Sequence, residues 1–436
     1  MNDLNANLEV LDALQRETFD YFVHEANSLN GLVVDNTQAG APASIAAVGL
    51  ALSSYPVGVE RSFITRAQAV QRTLATLRFF RNSVQSTDPE ATGYKGFYYH
   101  FLDMISGKRA WMCELSTVDT AFLLAGMLTA AGYFLGDTAD EREIRMLADE
   151  LYLRTDWEWA QNGGLTVTHG WKPERGFLPY RWQGYDEALF LYLLALGSPT
   201  HPLPEESYVQ WTSTYKWRKI YDHEFLYSGP LFTHQIPHLW IDFRGIQDDY
   251  MRGKGIDYFE NSRRATYVQQ QYAIDNPAEF DGYGANCWGI TASDGPGPAK
   301  RTIKGHKRRF FGYKARGVPE GPDDGCIAPW AVIASLPFAP EIVLPALQYF
   351  ETVKLRTKNR YGFKATFNAT FADSPDQSQL WVSPFNYGLN QGPIILMIEN
   401  YQTGLPWRLM RQCPYLIAGL RRAGFRGGWL GQGGGR

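Results

Sequence analysis

The sequence predicts an all-α protein whose helices form two concentric rings. Two kinds of helical segment alternate along its 436 residues. Segments of one kind are amphipathic, with apolar residues at steps of three or four, and segments of the other kind are apolar on nearly every side. An outer ring that shows one face to water and an inner ring that shows none would require this alternation. A repeat of about 34 to 47 residues, as in an α-solenoid, is not visible.

The amphipathic segments start near the N-terminus. Apolar side chains recur with helical spacing over residues 8–23, and the same period returns at 61–81 and 139–157. Thr138 and Glu141 form a capping-box pattern at the start of the third segment. The segments that are apolar on every side span residues 44–55, 120–135, 188–196 and 328–336.

The connecting segments are long and rich in Gly, Pro and aromatic residues. Loops of such length are normally functional, so we expect them to form a cleft at one end of the rings. Because no low-complexity linker divides the chain, residues 1–425 are expected to form one catalytic domain. The Gly-rich residues 426–436 are expected to be a flexible tail.

The composition limits the kinds of molecule that the protein is expected to bind. The chain has 45 acidic and 42 basic residues, a formal net charge of −3, which gives no overall basic surface for nucleic acid. Aromatic residues make up 14% of the chain. These rings either enlarge the core or line a groove, where flat apolar faces stack on sugar rings.

The sequence gives no signal for disulfide bonds, for membrane insertion or for secretion. The four cysteines, far apart in sequence, do not indicate a disulfide framework. No apolar run reaches the roughly 18 to 20 residues of a membrane span, so no membrane insertion is expected. The N-terminal residues lack a signal-peptide pattern, which predicts a cytoplasmic protein, or a periplasmic one if a signal peptide has been removed.

Carboxylates stand where two apolar helices begin. Glu114 and Asp119 flank one start, and Asp186 and Glu187 open another. Asp119 could merely satisfy free backbone N–H groups of the first helical turn. If the inner helices share an orientation, however, Asp119 and Glu187 meet at one mouth of the barrel. One acid and one carboxylate across a cavity are the minimum apparatus for glycoside hydrolysis.

A second dense polar run spans residues 229–250 and includes His234 and His238. A metal site is disfavoured there because Pro237 interrupts a helix and no third ligand is in register. Recognition of sugar hydroxyls is favoured over purely structural hydrogen bonding. Asp294 and Asp323 lie in Gly- and Pro-rich loops, where turn aspartates are more often structural. The chain has neither a phosphate-binding loop nor a Gly-x-Ser-x-Gly elbow.

Eight blocks of the sequence resemble, in order, the glucoamylase-like family that includes the bacterial endo-β-1,2-glucanases of glycoside hydrolase family 144. They read GFYYHFLD, STVDTAFLLAGML, GWKPE, WQGYDEALFLYLLALGSPTHP, HLWIDFRGI, WGITASDGP, DDGCIAPWAVIASLPFAPE and NQGPIILMIENY. The resemblance implies a single (α/α)6 barrel, a six-hairpin toroid, that hydrolyses linear β-1,2-glucan by endo attack with inversion, without cofactor or metal.

The resemblance also implies site residues. Glu187 matches the family's essential glutamate, the expected general acid, and Asp119 an essential acidic position. Family members often carry another acid where this chain has Ser116, so the sequence leaves the general base open, with Glu114 as a possible auxiliary acid. The candidate contacts to a glucan or oligosaccharide are Tyr98, His100, Trp171, Lys172, Trp182, Tyr185, His234, His238, Trp240, Asp242, Arg244, Trp288, Asp294 and Asp323.

Two other functions compete with hydrolysis of β-1,2-glucan. Related modules in cyclic β-1,2-glucan synthases transfer glycosyl groups, so a transglycosylase, or a hydrolase of another linkage, is the first alternative. A non-catalytic sugar-binding barrel is the second, although both Asp119 and Glu187 are retained. Oligomeric state is not determined by the sequence.

Overall fold

The computed structural model describes residues 2–356, 359–372 and 380–431. Its helices are α1 (Asn2–His24), α2 (Ile45–Glu60), α3 (Arg66–Asn82), α4 (Thr117–Tyr133), α5 (Ala139–Leu153), α6 (Trp157–Ala160), α7 (Leu189–Gly197), α8 (Glu205–Thr212), α9 (Asp249–Lys254), α10 (Tyr258–Asp275), α11 (Pro329–Ile333), α12 (Pro340–Thr352), α13 (Gly388–Gln402), α14 (Leu405–Met410), α15 (Pro414–Arg422) and α16 (Gly428–Gly431). Two 3-10 turns, Leu231–His234 and Ile236–Leu239, act together as one further element.

Twelve of these elements alternate between two rings, which confirms the predicted (α/α)6 barrel. The outer ring consists of α1, α3, α5, α8, α10 and α12, and the inner ring of α2, α4, α7, the paired 3-10 turns, α11 and α13. Gln235 of the 3-10 turns donates to the Ala331 carbonyl of α11, and α13 packs against α2, which closes the inner ring. None of the described helices is both long and apolar enough to cross a bilayer.

Burial separates the two rings as the apolar patterns predict. All nine residues of α7 are buried, and α2 and α4 are buried along most of their length. In the outer helices α3 and α5 only one face is buried. The inner helices therefore bury their apolar surface against each other on one side and against the outer ring on the other.

Two glycines allow the inner helices α2 and α4 to touch through their backbones. A Cβ atom built on Gly126 would lie 2.1 Å from the carbonyl oxygen of Gly49, and one on Gly49 would lie 2.2 Å from the carbonyl oxygen of Phe122. No larger residue fits without moving the backbone. This contact fixes the distance and direction of α4 relative to α2.

Short strands fill the long loops at the mouth of the barrel. They are β1 (Ala43–Ser44), β2 (Gly93–Tyr94), β3 (Phe97–Tyr99), β4 (Phe101–Leu102), β5 (Leu115–Ser116), β6 (Gly170–Lys172), β7 (Gly176–Phe177), β8 (Trp217–Ile220), β9 (His223–Leu226), β10 (Ala292–Ser293), β11 (Ala299–Ile303), β12 (His306–Phe310), β13 (Lys314–Ala315), β14 (Cys326–Ile327), β15 (Phe367–Ala372) and β16 (Leu380–Val382).

These strands pair in small antiparallel sheets. One has five strands in the order β2-β3-β5-β6-β7, one has three in the order β14-β15-β16, and β1–β4, β8–β9, β10–β13 and β11–β12 are two-stranded. Strands β1, β5 and β14 each lead within two residues into an inner helix. The sheets therefore hold the N-terminal ends of the inner helices at one mouth.

The predicted flexible tail is wrong for its first residues. Arg426 exchanges backbone hydrogen bonds with Gln247, at 2.9 and 3.0 Å, and the short helix α16 follows. The Trp429 indole donates to the Asp242 carbonyl at 2.8 Å, and Leu430 is buried. These contacts extend the domain to residue 431, and residues 432–436 of the predicted tail lie outside the described residues.

The glycine contact between α2 and α4 leads to a stability prediction. We expect Gly126→Ala to lower the free energy of unfolding by about 1–3 kcal/mol, because the added methyl group overlaps backbone atoms that cannot rotate away. The matched control is Gly132→Ala in the same helix, where the nearest atom to the new Cβ is 3.7 Å away. That control should be neutral or stabilising by up to about 1 kcal/mol. Urea unfolding followed by circular dichroism would compare the variants, and equal destabilisation would contradict the prediction.

Candidate active site

A cavity of about 500 Å³ opens at the mouth where the inner elements begin. Every inner element contributes to its wall near its N-terminal end. The contributions are Ser44 before α2, Asp119 and Phe122 on α4, Glu187 before α7, Phe232 and Ile236 in the 3-10 turns, Trp330 on α11, and Leu389 and Asn390 on α13. Asp119 and Glu187 therefore face one cavity, as the shared orientation of the inner helices predicts.

Glu187 lies two residues before α7 with its carboxyl group facing the cavity. Protein surrounds the group so closely that burial raises its pKa to about 8, with further contributions from the negative charges of Asp119 and Asp186. Glu187 is therefore protonated at neutral pH. A protonated carboxyl group in a sugar-sized cavity is suited to general acid catalysis.

The neighbouring Asp186 has a structural role. Its Oδ1 accepts hydrogen bonds from the Ala188 backbone N–H at 2.9 Å and from the Trp211 indole at 3.2 Å. Burial raises the pKa of Asp186 to about 7. Asp186 is not part of the cavity wall, so of two adjacent acids one anchors the start of α7 and the other faces the cavity.

Asp119 does not cap α4, although its position in the first turn would allow this. Ser116 is the N-cap residue, and its hydroxyl oxygen accepts from the Asp119 backbone N–H at 3.3 Å. The same hydroxyl donates to Asp119 Oδ2. The Asp119 side chain is thus held by the cap rather than acting as one, and its carboxylate remains available to the cavity.

His100 connects the carboxylates of Glu114 and Asp119. Its Nδ1 is 2.9 Å from Glu114 Oε1, and its Nε2 is 3.6 Å from Asp119 Oδ2. Burial opposes the charged ring, but the Asp119 carboxylate and the hydrogen bond with Glu114 outweigh it and raise the pKa of His100 to about 9. The imidazolium in turn outweighs the burial of Glu114 and lowers the pKa of that carboxyl group. Glu114 acts on the cavity through His100 rather than directly.

Asp35 is a third carboxylate of the cavity that sequence reasoning missed. Its side chain accepts from the Asn36 amide at 2.9 Å. Burial and the negative charge of Asp119 raise its pKa, partly offset by the Asn36 hydrogen bond and by His100. The only sequence signal was an acid following the apolar residues Leu32, Val33 and Val34.

Aromatic residues form much of the remaining wall. Phe101 stacks on the His100 ring with centroids 4.0 Å apart, and Trp111 contacts Phe101 at 5.0 Å. Trp111 is 64% exposed, so its ring is available at the rim. Tyr313 and Tyr387 face each other at 6.4 Å. Flat apolar faces beside carboxylates are typical of sugar-binding sites. Of these wall residues, only His100 was predicted.

Tyr313 is held over the cavity by a buried ion pair beneath its loop. Tyr313 is 60% exposed as a whole, but partial burial and the nearby negative charges of Glu187 and Asp35 raise the pKa of its hydroxyl. Three residues later, Arg316 forms a two-pronged salt bridge with Asp324 at 2.7 and 2.9 Å, and both side chains are completely buried. Arg316 also donates to the Ser293 carbonyl at 2.6 Å.

The polar run at residues 229–250 does not reach the cavity through its predicted sugar contacts, so this prediction is wrong. His234, His238, Trp240 and Asp242 are each only 1% exposed. Their hydrogen-bonding groups are used internally: His234 with Ser228 O, His238 with Ser262, Trp240 with Ser53, and Asp242 with Arg244 and Arg411. Arg244 lies over the Trp407 ring at 4.7 Å. The run is polar because it crosses the barrel core.

Other predicted contacts also lie outside the cavity wall. Tyr98 and Trp288 are completely buried and Tyr185 nearly so, which excludes direct sugar contact in this structure. The remaining side chains are engaged elsewhere: Trp171 with the Tyr94 ring, Lys172 with Met112 O, Trp182 with Thr117, Asp294 with Ser383, and Asp323 with Tyr272 and Tyr283. Sequence position alone did not separate these residues from those that face the cavity.

Among the described residues, no group of three or more His, Cys, Asp or Glu side chains is arranged to hold a metal ion. His234 and His238 lie in two successive 3-10 turns with Pro237 between them, rather than on one helix.

The fold and cavity define the class of protein: an (α/α)6 barrel with acidic side chains and aromatic walls at the mouth formed by the inner helices. Comparison with known families identifies the particular family. The sequence model named Glycoamylase, described as "Putative glucoamylase", matches residues 179–414, more than half of the chain. The chain belongs to this glucoamylase-like family.

Several relatives match nearly all of this chain. A crystal structure from Bacteroides uniformis, described as a "putative glucoamylase", has a TM-score of 0.85 and 33% identity and covers 97% of this chain and 98% of its own. An endo-β-1,2-glucanase from Chitinophaga pinensis, in complex with sophorotriose and glucose, has a TM-score of 0.83 and 27% identity and covers 97% and 99%.

A curated relative from Parabacteroides distasonis is an exo-β-1,2-glucooligosaccharide sophorohydrolase that acts at the non-reducing end. It is 29% identical over 451 residues, which cover 95% of this chain. The present chain spans only 57% of the length of that relative.

The raised pKa of Glu187 leads to a prediction about activity and stability together. Glu187→Gln should reduce turnover by at least about 100-fold, because the amide cannot deliver a proton. The variant should also be more stable than the wild type at pH 8. A folded-state pKa near 8 means that Glu187 favours folding below its ordinary pKa of 4.5 and that this contribution is lost as pH rises through 8.

Melting temperatures at pH 5 and pH 8, together with turnover rates, would test this. Asp186→Asn is the matched control, because its amide oxygen can still accept the two hydrogen bonds that anchor α7, so it should retain most activity. If Glu187→Gln hydrolysed substrate normally, or if Asp186→Asn were equally inactive, the assignment of Glu187 would be wrong.

Proposed function

We propose that this protein is a glycoside hydrolase that cleaves β-1,2-glucan. The observation that carries the proposal is the protonated Glu187 carboxyl group enclosed in one cavity with the Asp119 carboxylate. The substrate class is supported by relatives that match this chain over almost its whole length and act on β-1,2-glucans.

In the proposed mechanism, Glu187 is the general acid. Glycosidic cleavage requires a proton on the leaving oxygen as the bond to the anomeric carbon lengthens. Glu187 holds that proton at neutral pH because its enclosure disfavours the carboxylate and because Asp119 is a second negative charge nearby. The aromatic wall would hold the sugar rings by stacking while the proton is transferred.

Asp119 is the proposed general base, acting on water. Its carboxylate accepts from the Ser116 hydroxyl and lies 3.6 Å from the His100 imidazolium, so both neighbours stabilise negative charge. Glu114 fixes His100 from the other side at 2.9 Å. Glu187 and Asp119 thus have different surroundings, burial beside negative charge for the acid and a hydroxyl donor with a nearby imidazolium for the base, as paired carboxyl groups with separate catalytic roles require.

Endo cutting with inversion is the proposed mode. The Chitinophaga pinensis endo-enzyme, which matches 97% of this chain, supports endo cutting, and the exo-acting relative matches 95% of it. Exo release of sophorose is therefore the second candidate. Inversion follows from the proposed roles, because a base that activates water delivers it to the opposite face of the anomeric carbon.

The substrate prediction is tested by incubation with linear β-1,2-, β-1,3- and β-1,4-glucans and with starch. We expect hydrolysis of the β-1,2-glucan alone, with early products of several lengths. Proton NMR during the first turnovers should show the α-anomer of the new reducing end. Release of sophorose alone would replace endo by exo cutting, an initial β-anomer would indicate a retaining or transferring enzyme, and cleavage of another glucan only would refute the proposal.

The role of Asp119 is tested by Asp119→Asn. We expect a loss of turnover of at least about 100-fold, because the amide cannot accept a proton from water. The alkaline decline of the residual activity should also begin at a lower pH than in the wild type. The reason is that the negative charge of Asp119 helps to raise the pKa of Glu187, and the variant lacks this charge. A pH profile of kcat/KM measures this shift. A variant with a lowered melting temperature, full activity and an unchanged profile would make Asp119 structural.

A further inference from the structure

The β11–β12 hairpin and the loop after it form an unusually basic segment. Residues 299–316 contain eight Lys or Arg residues and one His, but no Asp or Glu, in a chain whose formal net charge is −3. Arg316 and Lys304 are neutralised within the fold by Asp324 and Asp281. The His306 ring lies 3.1 Å from Glu279. The proposed catalytic mechanism uses none of the basic side chains of this segment.

Four cations of the segment, here called the basic patch, are different: Lys300, Lys307, Arg309 and Lys314. All four are exposed, and none forms an ion pair with a carboxylate among the described residues. Lys300 lies directly opposite Arg309 in the hairpin, and Lys307 lies opposite Thr302. Because side chains alternate between the faces of a strand, Lys300, Lys307 and Arg309 share one face.

Opposed like charges on neighbouring strands destabilise a hairpin. The hairpin has two such pairs, Lys300 opposite Arg309 and Arg301 opposite Arg308. The repulsion between Arg301 and Arg308 is offset because each guanidinium lies over an aromatic ring, Phe371 at 3.6 Å and Phe280 at 4.5 Å. Among the described residues, Lys300 has neither an aromatic ring nor a carboxylate that would stabilise its charge in this way. An anion between Lys300, Lys307 and Arg309 would remove the repulsion.

The shape of this surface fits a small anion. The hairpin carries a depression of about 290 Å³ lined by Lys300, Arg301, Thr302, Lys307, Arg308 and Arg309. Lys300, Thr302, Lys307 and Arg309 share one face of the hairpin, so three basic groups and one hydroxyl group are available there, whereas Arg301 and Arg308 lie on the other face, over Phe371 and Phe280. Several charge-assisted donors around one hydroxyl group are suited to a tetrahedral oxyanion.

The basic patch reaches the wall of the cavity. Arg309 and Lys314 both lie near the Phe311 ring, at 5.1 and 6.0 Å from its centroid. Lys314 stands in sequence between Tyr313 and Ala315, which both line the cavity, so in strand β13 its side chain points to the other side of the wall. The basic patch therefore begins on the outer side of the cavity wall and extends along the hairpin.

We propose that the basic patch is a binding site for a phosphate-type oxyanion, and that its position on the outer side of the cavity wall serves anionic groups carried on a saccharide. This inference goes beyond the proposed function and does not depend on it, because a neutral glucan needs no cluster of unpaired cations. A free phosphate or a lipid headgroup has the same anionic chemistry, so the test must separate these sources.

The test is calorimetric titration of the whole protein with inorganic phosphate, glucose 6-phosphate and glucose, with sedimentation on phosphatidylcholine vesicles made with and without phosphatidylglycerol. We expect saturable, salt-sensitive binding of both phosphates, no competition of glucose with inorganic phosphate, and no difference between the vesicles. In Lys300→Gln/Lys307→Gln/Arg309→Gln the affinity should fall by at least about tenfold, because three charge-assisted contacts are lost. Hydrolysis of neutral glucan should be unchanged, so failure of this inference is distinguishable from failure of the proposed function.

The matched control is Arg78→Gln/Lys95→Gln/Lys108→Gln. It removes the same charge from exposed cations that are each paired with a carboxylate, those of Glu143, Asp156 and Glu90. The control should bind both phosphates as the wild type does. Equal losses in the two triple variants, or no saturable phosphate binding, would overturn the proposal. If the protein bound inorganic phosphate but not glucose 6-phosphate, the patch would not recognise anionic groups that are attached to a saccharide. If the protein bound only to anionic vesicles, the patch would be a general membrane-binding surface and not a site for one anion.

Discussion

The site depends on the close backbone contact between α2 and α4 and on the common direction of the inner ring. Gly49 and Gly126 bring the two helices together at a distance that side chains would prevent. Because the inner helices all begin at the same end, the residues at their starts converge on one cavity. The partial positive charge at the helix N-termini also faces this cavity and favours the negative groups gathered there.

The cavity concentrates ionisable groups that would be unfavourable elsewhere in the core. Asp35, Glu114, Asp119 and Glu187 are compensated by one imidazolium, that of His100. Enclosure therefore leaves at least one carboxyl group protonated at neutral pH, and Glu187 is that group. Carboxyl groups whose pKa is raised by burial and by like charge are typical of functional sites.

Sequence patterns predicted the two rings and the position of Asp119 and Glu187 at one cavity, since both depend on local rules. Helical periodicity follows burial, and a carboxylate at the start of an apolar helix stands out in the sequence. The wall of the cavity was harder to predict. Asp35, Trp111, Tyr313 and Tyr387 come from four separate loops, and only the assembled barrel brings them together.

Several residues that were predicted to contact sugar lie instead in the core, where their polar groups bind other parts of the protein. His238, Trp240 and Asp242 have the side chains that bind sugars, but a segment that crosses the core needs the same groups to satisfy buried partners. Glu187 and Asp186 illustrate the limit most clearly, because adjacent acids of similar burial have different roles. Sequence composition cannot distinguish a hydrogen bond made within the protein from one reserved for a ligand.

The buried Arg316–Asp324 pair holds the loop that carries Tyr313. The loss of either partner by mutation would leave an uncompensated buried charge and would cost about 3–5 kcal/mol. The two residues are therefore tied to each other: a chain that keeps Tyr313 at the cavity wall must keep both the guanidinium and the carboxylate that anchor its loop.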